Sequence, residues 1–332
     1  MRRVASLAGA LLLTATLVQP SSAAPPTGNS TGGVLPPETG SHQDQALVTA
    51  KEQGRVRVFA DGRVEILAGA PATSYPKSAL LSTSWTGSVW EPQGSGTDDA
   101  GRPYSDSNYW NFCGPGATAV TLWYWPAGYT FDTGIATQTY TEPNSALSIT
   151  ATTTWKATDG VSNGRGAIMD LAENVAPPVT PAWAYPGVID WTSAYPYDGT
   201  PVNRIRDALN WEISAGTSLS GPYVWTQYSS SLTQAALLTD VQRDVAGELA
   251  PLVANVATAS GHFHLPNWGK GRSVNHSISI VGYDDSAGTY TYIDTCGPGC
   301  NNTGAPAGVY SVAQKTLWTL LGAETDGDGV IW

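Results

Sequence analysis

Residues 275–295 read NHSISIVGYDDSAGTYTYIDT, two runs of alternating apolar and polar residues on either side of a short polar stretch. Alternation with a period of two is typical of β-strands, and the Asp, Ser and Gly between the runs favour a turn. The stretch therefore predicts an antiparallel β-hairpin. His276 opens its first strand, and Asp294 closes its second strand.

The register of this hairpin decides whether His276 and Asp294 can meet. If residues 284–288 form the turn, Tyr283 faces Thr289, and position 276 faces position 296. His276 and Asp294 then lie on one face of the hairpin, on a diagonal of about 7–8 Å that their side chains can bridge. A turn that differs by one residue would put them on opposite faces, so the prediction depends on this register.

A cysteine opens a predicted helix far upstream of the hairpin. The sequence NFCGPGATA at 111–119 begins a pattern that predicts a helix from Cys113 to Trp125, which Pro126 ends. A helix N-terminus carries partial positive charge and favours the reactive thiolate form of a cysteine. Cysteine, histidine and carboxylate together are the nucleophile, base and orienting group of a thiol hydrolase. The alternative for Cys113 is a small buried residue of the core.

The remaining patterns predict an α+β fold, with helices first and antiparallel strands last. A hairpin is predicted at 55–67 around Asp61-Gly62. Further helices are expected at 166–174, 202–214, 231–246 and 315–321, and further strands at 251–257, 276–283, 289–294 and 308–312.

The chain divides into four predicted segments. Residues 1–24 have a basic start, an apolar run and small residues, as in a secretory signal peptide, so we expect a secreted, extracellular protein without a membrane span. Residues 25–45 are rich in Pro, Gly, Ser and Thr and predict a disordered linker. Residues 46–104 contain the first hairpin and either open the domain or form a prosegment. Residues 105–332 form the main domain.

Composition limits the function. Sixteen Lys and Arg stand against 27 Asp and Glu, and a net charge of −11 argues against nucleic-acid binding. Thirteen Trp and 15 Tyr are typical of an aromatic-packed extracellular domain or, alternatively, of a carbohydrate-binding surface. His262 and His264 have no third ligand nearby, so no metal site is predicted.

Three cysteines in an exported protein leave one without an intrachain partner. Cys296 and Cys300 flank Gly-Pro-Gly, a loop that allows them to form a disulfide if their Cα atoms approach closely enough. Cys113 then keeps its thiol. The alternative, a disulfide between Cys113 and either of the others, would abolish the thiol chemistry.

These motifs together resemble the C39-like peptidases of the papain-like superfamily. The family pattern is a Cys-Gly-Pro helix start, a His opening a strand that ends in Val-Gly-Tyr-Asp, and an Asp closing the next strand. The resemblance covers about 108–321 and is strong in the two motifs. It implies a papain-like fold, with Cys113 as nucleophile, His276 as general base and acid, and Asp294 as the group that orients His276.

The sequence departs from the family at one position. A Gln about six residues before the cysteine usually donates to the oxyanion, and here that position is Ser107. Asn108 or Asn111 carries a suitable amide, and we favour Asn108. We therefore expect a monomeric, secreted cysteine peptidase without a cofactor, acting on extracellular proteins or peptides, with cell-wall peptides as a second substrate class. The alternative is a non-catalytic, aromatic-rich binding module for polysaccharide or protein on an inactive peptidase-like fold.

Overall fold

A computed structural model describes eleven stretches of the chain and, elsewhere, the backbone of short strands. The stretches are 43–59, 62–69, 74–81, 113–124, 200–213, 221–227, 232–258, 264–269, 274–297, 303–322 and 329–332. Asn108, Asn111, His262, Cys300 and the helix predicted at 166–174 lie outside the described residues.

The centre of the fold is an antiparallel seven-stranded sheet. Its strand order is β12-β17-β13-β14-β15-β16, and β4 also pairs with β14. The strands are β4 (Ser78–Leu80), β12 (Trp225–Gln227), β13 (Leu252–Thr258), β14 (Val274–Asp284), β15 (Thr289–Asp294), β16 (Gly308–Ala313) and β17 (Gly329–Ile331).

Short strands pair outside this sheet. They are β1 (Val34–Leu35) with β11 (Thr200–Pro201), in parallel, and four antiparallel pairs: β2 (Val56–Val58) with β3 (Val64–Ile66), β5 (Ser95–Thr97) with β6 (Pro103–Ser105), β7 (Thr130–Asp132) with β10 (Thr154–Lys156), and β8 (Gln138–Thr141) with β9 (Ser148–Ala151). The pairing of β2 with β3 confirms the hairpin predicted around Asp61-Gly62.

Helices pack on the sheet. They are α1 (Gln45–Glu52), α2 (Cys113–Trp123), α3 (Val202–Ile213), α4 (Gln234–Gln242), a π-helix (Arg243–Glu248) that continues α4, and α5 (Gln314–Leu321). The predicted α+β class is confirmed, and α2 to α5 begin and end within a few residues of their predicted bounds. The described residues contain no helix long and apolar enough to cross a membrane.

Helix α1 was not predicted, because Asp44 and Gln45 close a polar stretch without clear periodicity. The Asp44 side chain accepts hydrogen bonds from the backbone N–H groups of Ala46 and Leu47, at 2.9 and 3.2 Å, which caps the helix. Leu47 and Val48 belong to the same buried cluster as the sheet residues. Strand β4 extends the edge of β14 beyond the end of β13. Residues of the segment 46–104 are thus built into the main core.

The hairpin β14–β15 differs from its predicted register in two places. Asp284 pairs with Thr289, so the turn is one residue shorter than predicted. A bulge between Ile280 and Gly282 then shifts the register by one residue, and Ile280 pairs with Tyr292. The two differences cancel beyond the bulge. His276 and Asp294 therefore keep the relation that the simplest turn predicted.

Candidate active site

Helix α2 begins at Cys113, whose side chain is 1% exposed and is not in a disulfide. The helix is fixed on β14 by Ser279, whose Oγ donates to the carbonyl of Ala117 at 3.0 Å and lies 3.4 Å from Oγ1 of Thr121. Ser279 is only three residues from His276 along the same strand. The same helix and strand bring Cys113 and His276 close enough for the Cys113 side chain to interact with the imidazole.

Two glycines of α2 allow close packing at the helix start. A Cβ on Gly114 would lie 2.6 Å from Oγ1 of Thr200, and a Cβ on Gly116 would lie 3.0 Å from Cβ of Thr295 and closer still to its Oγ1. Both distances are too short for a side chain. Glycine is unfavourable inside a helix, so packing explains these two positions. Through Gly116, α2 rests on the residue that follows Asp294.

His276 and Asp294 are hydrogen-bonded. Nε2 of His276 lies 2.7 Å from Oδ1 of Asp294, and both side chains are fully buried. The other ring nitrogen, Nδ1, has no regular hydrogen bond among the described residues, yet Cys113 acts on the imidazole strongly enough to change its pKa. Because Asp294 occupies Nε2, Nδ1 is the nitrogen available to the thiol.

The charges of the pair follow from these contacts. Burial opposes protonation of His276, but the Asp294 carboxylate and the Cys113 side chain outweigh it and raise the pKa of His276 to about 10. Burial alone would raise the pKa of Asp294, but the charge of His276 and three side-chain hydrogen bonds lower it. At neutral pH the pair therefore consists of an imidazolium and a carboxylate.

Three further side chains complete the environment of Asp294, and the sequence did not predict them. Oδ2 of Asp294 accepts from Nδ2 of Asn267 at 2.8 Å and from Nε1 of Trp268 at 2.7 Å. The hydroxyl of Tyr292 donates to Oδ1 of Asn267 at 2.6 Å. Asn267 and Trp268 lie in a turn without periodicity, so only the three-dimensional structure shows their contacts.

The remaining predicted positions have different outcomes. Cys296 is disulfide-bonded, and its backbone N–H donates to Oδ1 of Asp294 at 2.8 Å. Its predicted partner Cys300 lies outside the described residues, as does Asn108, so the disulfide pairing and the oxyanion donor stay predictions. Within the described stretches no group of three His, Cys, Asp or Glu side chains is arranged to hold a metal ion.

Comparisons with known proteins give only distant structural similarity. The chain matches no family model and no curated protein sequence. Among solved structures it is similar to xylellain, a cysteine protease from Xylella fastidiosa, with 11% identity, a TM-score of 0.35, and coverage of 91% of this chain and 96% of that one. It is also similar to interpain A, a cysteine protease from Prevotella intermedia, with 14% identity, a TM-score of 0.37, and coverage of 71% and 87%. Similarity at this level does not by itself establish a common fold.

Proposed function

We propose that this protein is a secreted cysteine peptidase of the papain-like, C39-like type, with Cys113 as nucleophile, His276 as proton carrier and Asp294 as orienting group. The observation that carries the proposal is the 2.7 Å hydrogen bond between buried His276 and Asp294, beside a cysteine at the start of a helix. A buried charged pair costs free energy unless good geometry and further hydrogen bonds compensate for the lost solvation. Next to a thiol, such a pair keeps an imidazolium in place.

The proposed reaction is acyl transfer through a thioester. The Cys113 thiolate attacks the scissile carbonyl carbon, and a sulfur–carbon bond forms. His276 gives its proton to the leaving amine as the carbon–nitrogen bond breaks. Neutral His276 then takes a proton from water, whose oxygen attacks the thioester. The acid leaves, and the thiolate and the imidazolium are restored. No cofactor takes part in these steps.

The first backbone N–H groups of α2 are the proposed oxyanion donors. The first N–H groups of a helix have no partner within the helix and point toward its N-terminus, where Cys113 lies. In α2 they belong to Cys113, Gly114 and Gly116, because Pro115 has none. The amide of Asn108 is proposed as the side-chain donor. Removing one such donor typically costs about a hundredfold or more in rate.

Extracellular proteins and peptides are the proposed substrates, with cell-wall peptides as the second class. Trp268, Trp332, Tyr290 and Tyr292 are among the largest fully buried side chains of the described residues and do not form the carbohydrate-binding surface of the alternative. These rings pack the core. They are not available to stack on a sugar.

The test is hydrolysis of a mixture of denatured proteins, with new N-termini identified by mass spectrometry. Cys113→Ala should remove all cleavage and keep the thermal stability of the wild type, because alanine fills most of the space of a buried thiol. His276→Ala should also remove cleavage. Cleavage by Cys113→Ala at the wild-type rate would refute the proposal. Binding to insoluble polysaccharide without any cleavage would favour the binding module.

A further inference from the structure

The carboxylate of Asp294 accepts four hydrogen bonds, two on each oxygen. Oδ1 receives Nε2–H of His276 at 2.7 Å and the backbone N–H of Cys296 at 2.8 Å. Oδ2 receives Nδ2–H of Asn267 at 2.8 Å and Nε1–H of Trp268 at 2.7 Å. An ionised carboxylate has about four lone-pair sites, so all of them are used. A proton can reach Asp294 only by displacing one of these donors or by transfer from His276 along the hydrogen bond to Oδ1.

Trp268 contacts both members of the pair. Its indole N–H binds Asp294, and its ring lies against the imidazole of His276, with centroids 4.8 Å apart and planes tilted by 53°. Trp268 itself is only 2% exposed. One side chain therefore shields the histidine ring and stabilises the carboxylate that the histidine depends on.

Asn267 is held in the orientation that donates to Asp294. The Tyr292 hydroxyl donates to Oδ1 of Asn267 at 2.6 Å, which leaves Nδ2 of the amide facing the carboxylate. Thr303 donates to the backbone carbonyl of Asn267 at 2.7 Å, and the backbone N–H of Trp268 donates to the carbonyl of Leu265 at 2.9 Å. The turn 264–269 thus presents both donors from a fixed backbone.

We propose that Asn267 and Trp268 are positioning residues that hold the shared proton on His276, and thereby keep Cys113 as a thiolate. A buried His–Asp pair has a second arrangement, in which the proton moves to the carboxyl and both groups become neutral. The two neutral donors on Oδ2 favour the ionised carboxylate and oppose that arrangement. This inference rests on the proposed function.

Few other titratable groups act on this pair among the described residues. Cys113 faces His276 from α2, while Tyr292 on β15 and Tyr310 on β16 interact with Asp294. Burial and the negative charge of Asp294 raise the pKa of each tyrosine above the ordinary value for a tyrosine. Both tyrosines are therefore neutral below about pH 10.

The test compares the pH dependence of Cys113 labelling by iodoacetamide in the full chain of wild type and Trp268→Phe. Phenylalanine keeps an aromatic ring against His276 and removes the N–H donor. Loss of one hydrogen bond to a charged group changes the protonation equilibrium of that group by about tenfold. We expect the acid-side midpoint of labelling to move to higher pH, with about tenfold slower labelling at pH 5 and an unchanged rate at pH 9.

Trp332→Phe is the matched control. Nε1 of Trp332 also donates a buried hydrogen bond, to Oγ1 of Thr226 at 2.7 Å, and its ring packs against the cations of Lys51 and Arg243. It should lose stability and keep the wild-type midpoint. If Trp268→Phe does not fold, 3-benzothienylalanine at position 268 replaces the N–H by sulfur in a ring of the same shape.

The outcomes separate this inference from the proposed function. Labelling of wild-type Cys113 at pH 5, with a shifted midpoint in Trp268→Phe and in Asn267→Ala, supports both. Labelling of the wild type at pH 5, with the same midpoint in both variants, overturns the positioning role and leaves the peptidase proposal standing. A wild type that is labelled only at alkaline pH contradicts the peptidase proposal itself, and the inference falls with it.

Discussion

Nε2 of His276 lies 2.7 Å from Oδ1 of Asp294, and neither side chain is exposed to solvent. The carboxylate accepts from donors on both oxygens, so an amide cannot replace it. In Asp294→Asn the NH₂ group would face either His276 and Cys296 or Asn267 and Trp268, and all of these are donors.

Asp294→Asn should therefore lose both stability and thiol reactivity. We expect the free energy of unfolding to fall by about 2–4 kcal/mol, because buried donors lose their acceptor. Labelling of Cys113 by iodoacetamide at pH 6 should slow by about tenfold or more. Urea unfolding and mass spectrometry measure the two effects.

Asp284→Asn is the matched control for this substitution. Oδ1 of Asp284 accepts from the backbone N–H groups of Ser286 and Ala287 in the turn of the same hairpin, and an asparagine oxygen can do the same. It should behave like the wild type. Wild-type stability and labelling in Asp294→Asn would contradict the assigned role of the carboxylate.

The raised pKa of His276 also predicts how stability changes in alkaline solution. The folded-state pKa is about 10 and the unfolded value about 6.5. The contribution of His276 is thus fully present below about pH 6.5 and is lost as the pH rises through about 10. We expect the free energy of unfolding to fall over this interval by more in the wild type than in His276→Gln/Asp294→Asn. The free energy of unfolding is measured by urea at each pH. An equal fall with pH in the two proteins would show that His276 is not held as an imidazolium.

A second buried charge cluster predicts a loss of stability with rising pH in a more acidic range. The cluster lies between α1, α4 and the π-helix and consists of two cations, Lys51 and Arg243, and three carboxyl groups, Asp240, Asp244 and Glu248. Nζ of Lys51 is 4.8 Å from the Trp332 ring centroid. The carboxylates outnumber the cations. Oε1 of the half-buried Glu248 is enclosed and has no hydrogen-bond partner among the described residues. Burial raises the pKa of Glu248 to about 7, and burial likewise raises the pKa of Asp240 to about 7.

Glu248→Gln should stabilise the protein at pH 8. A carboxyl group with a raised folded-state pKa gives stability that is present below its unfolded value of about 4.3 and is lost as the pH rises toward 7. The wild type should thus be more stable at pH 5 than at pH 8, and the variant should gain roughly 1–3 kcal/mol at pH 8. Glu52→Gln, on the exposed face of α1, is the control with the same change in net charge. A less stable Glu248→Gln would refute the prediction.

The N-terminal segment gives a prediction about access to Cys113. Strand β1 (Val34–Leu35) pairs with β11, whose Thr200 packs against Gly114, and β1 also contacts β14, which carries His276. Strand β1 thus lies beside the candidate site, while α1 and β4 belong to the core. We therefore predict that strand β1, and not α1 or β4, limits access to Cys113.

Two deletions test this division. A chain that lacks residues 25–42 should fold, and iodoacetamide should label its Cys113 faster than in the wild type. A chain that lacks only 25–32 keeps β1 and should be labelled at the wild-type rate. A chain that begins at Ser105 loses α1 and β4 and should unfold at much lower urea concentration. Equal labelling of the first two chains would contradict a blocking role for β1.

Pattern and turn residues predicted the strands from β13 to β16 and the helices from α2 to α5, although β13, α2 and most of β14 are buried on both faces and not on one. The relation of His276 to Asp294 was predicted for a reason that was only partly right. The shorter turn at Asp284 and the bulge at Gly282 cancel, and a bulge depends on packing that a single sequence does not show. Asn267 and Trp268 could not be predicted, because their contacts arise between a turn and a strand distant in sequence.

The most direct test of the peptidase assignment is labelling of Cys113 by a series of peptidyl chloromethyl ketones, mapped by mass spectrometry. Rapid and saturable labelling by this reagent needs both a thiolate and a site that binds a peptide. We expect labelling of Cys113 to saturate with reagent concentration, to depend on the peptide sequence and to be lost in His276→Ala. Labelling of wild-type Cys113 no faster than that of glutathione, with no dependence on the peptide, would contradict the peptidase assignment.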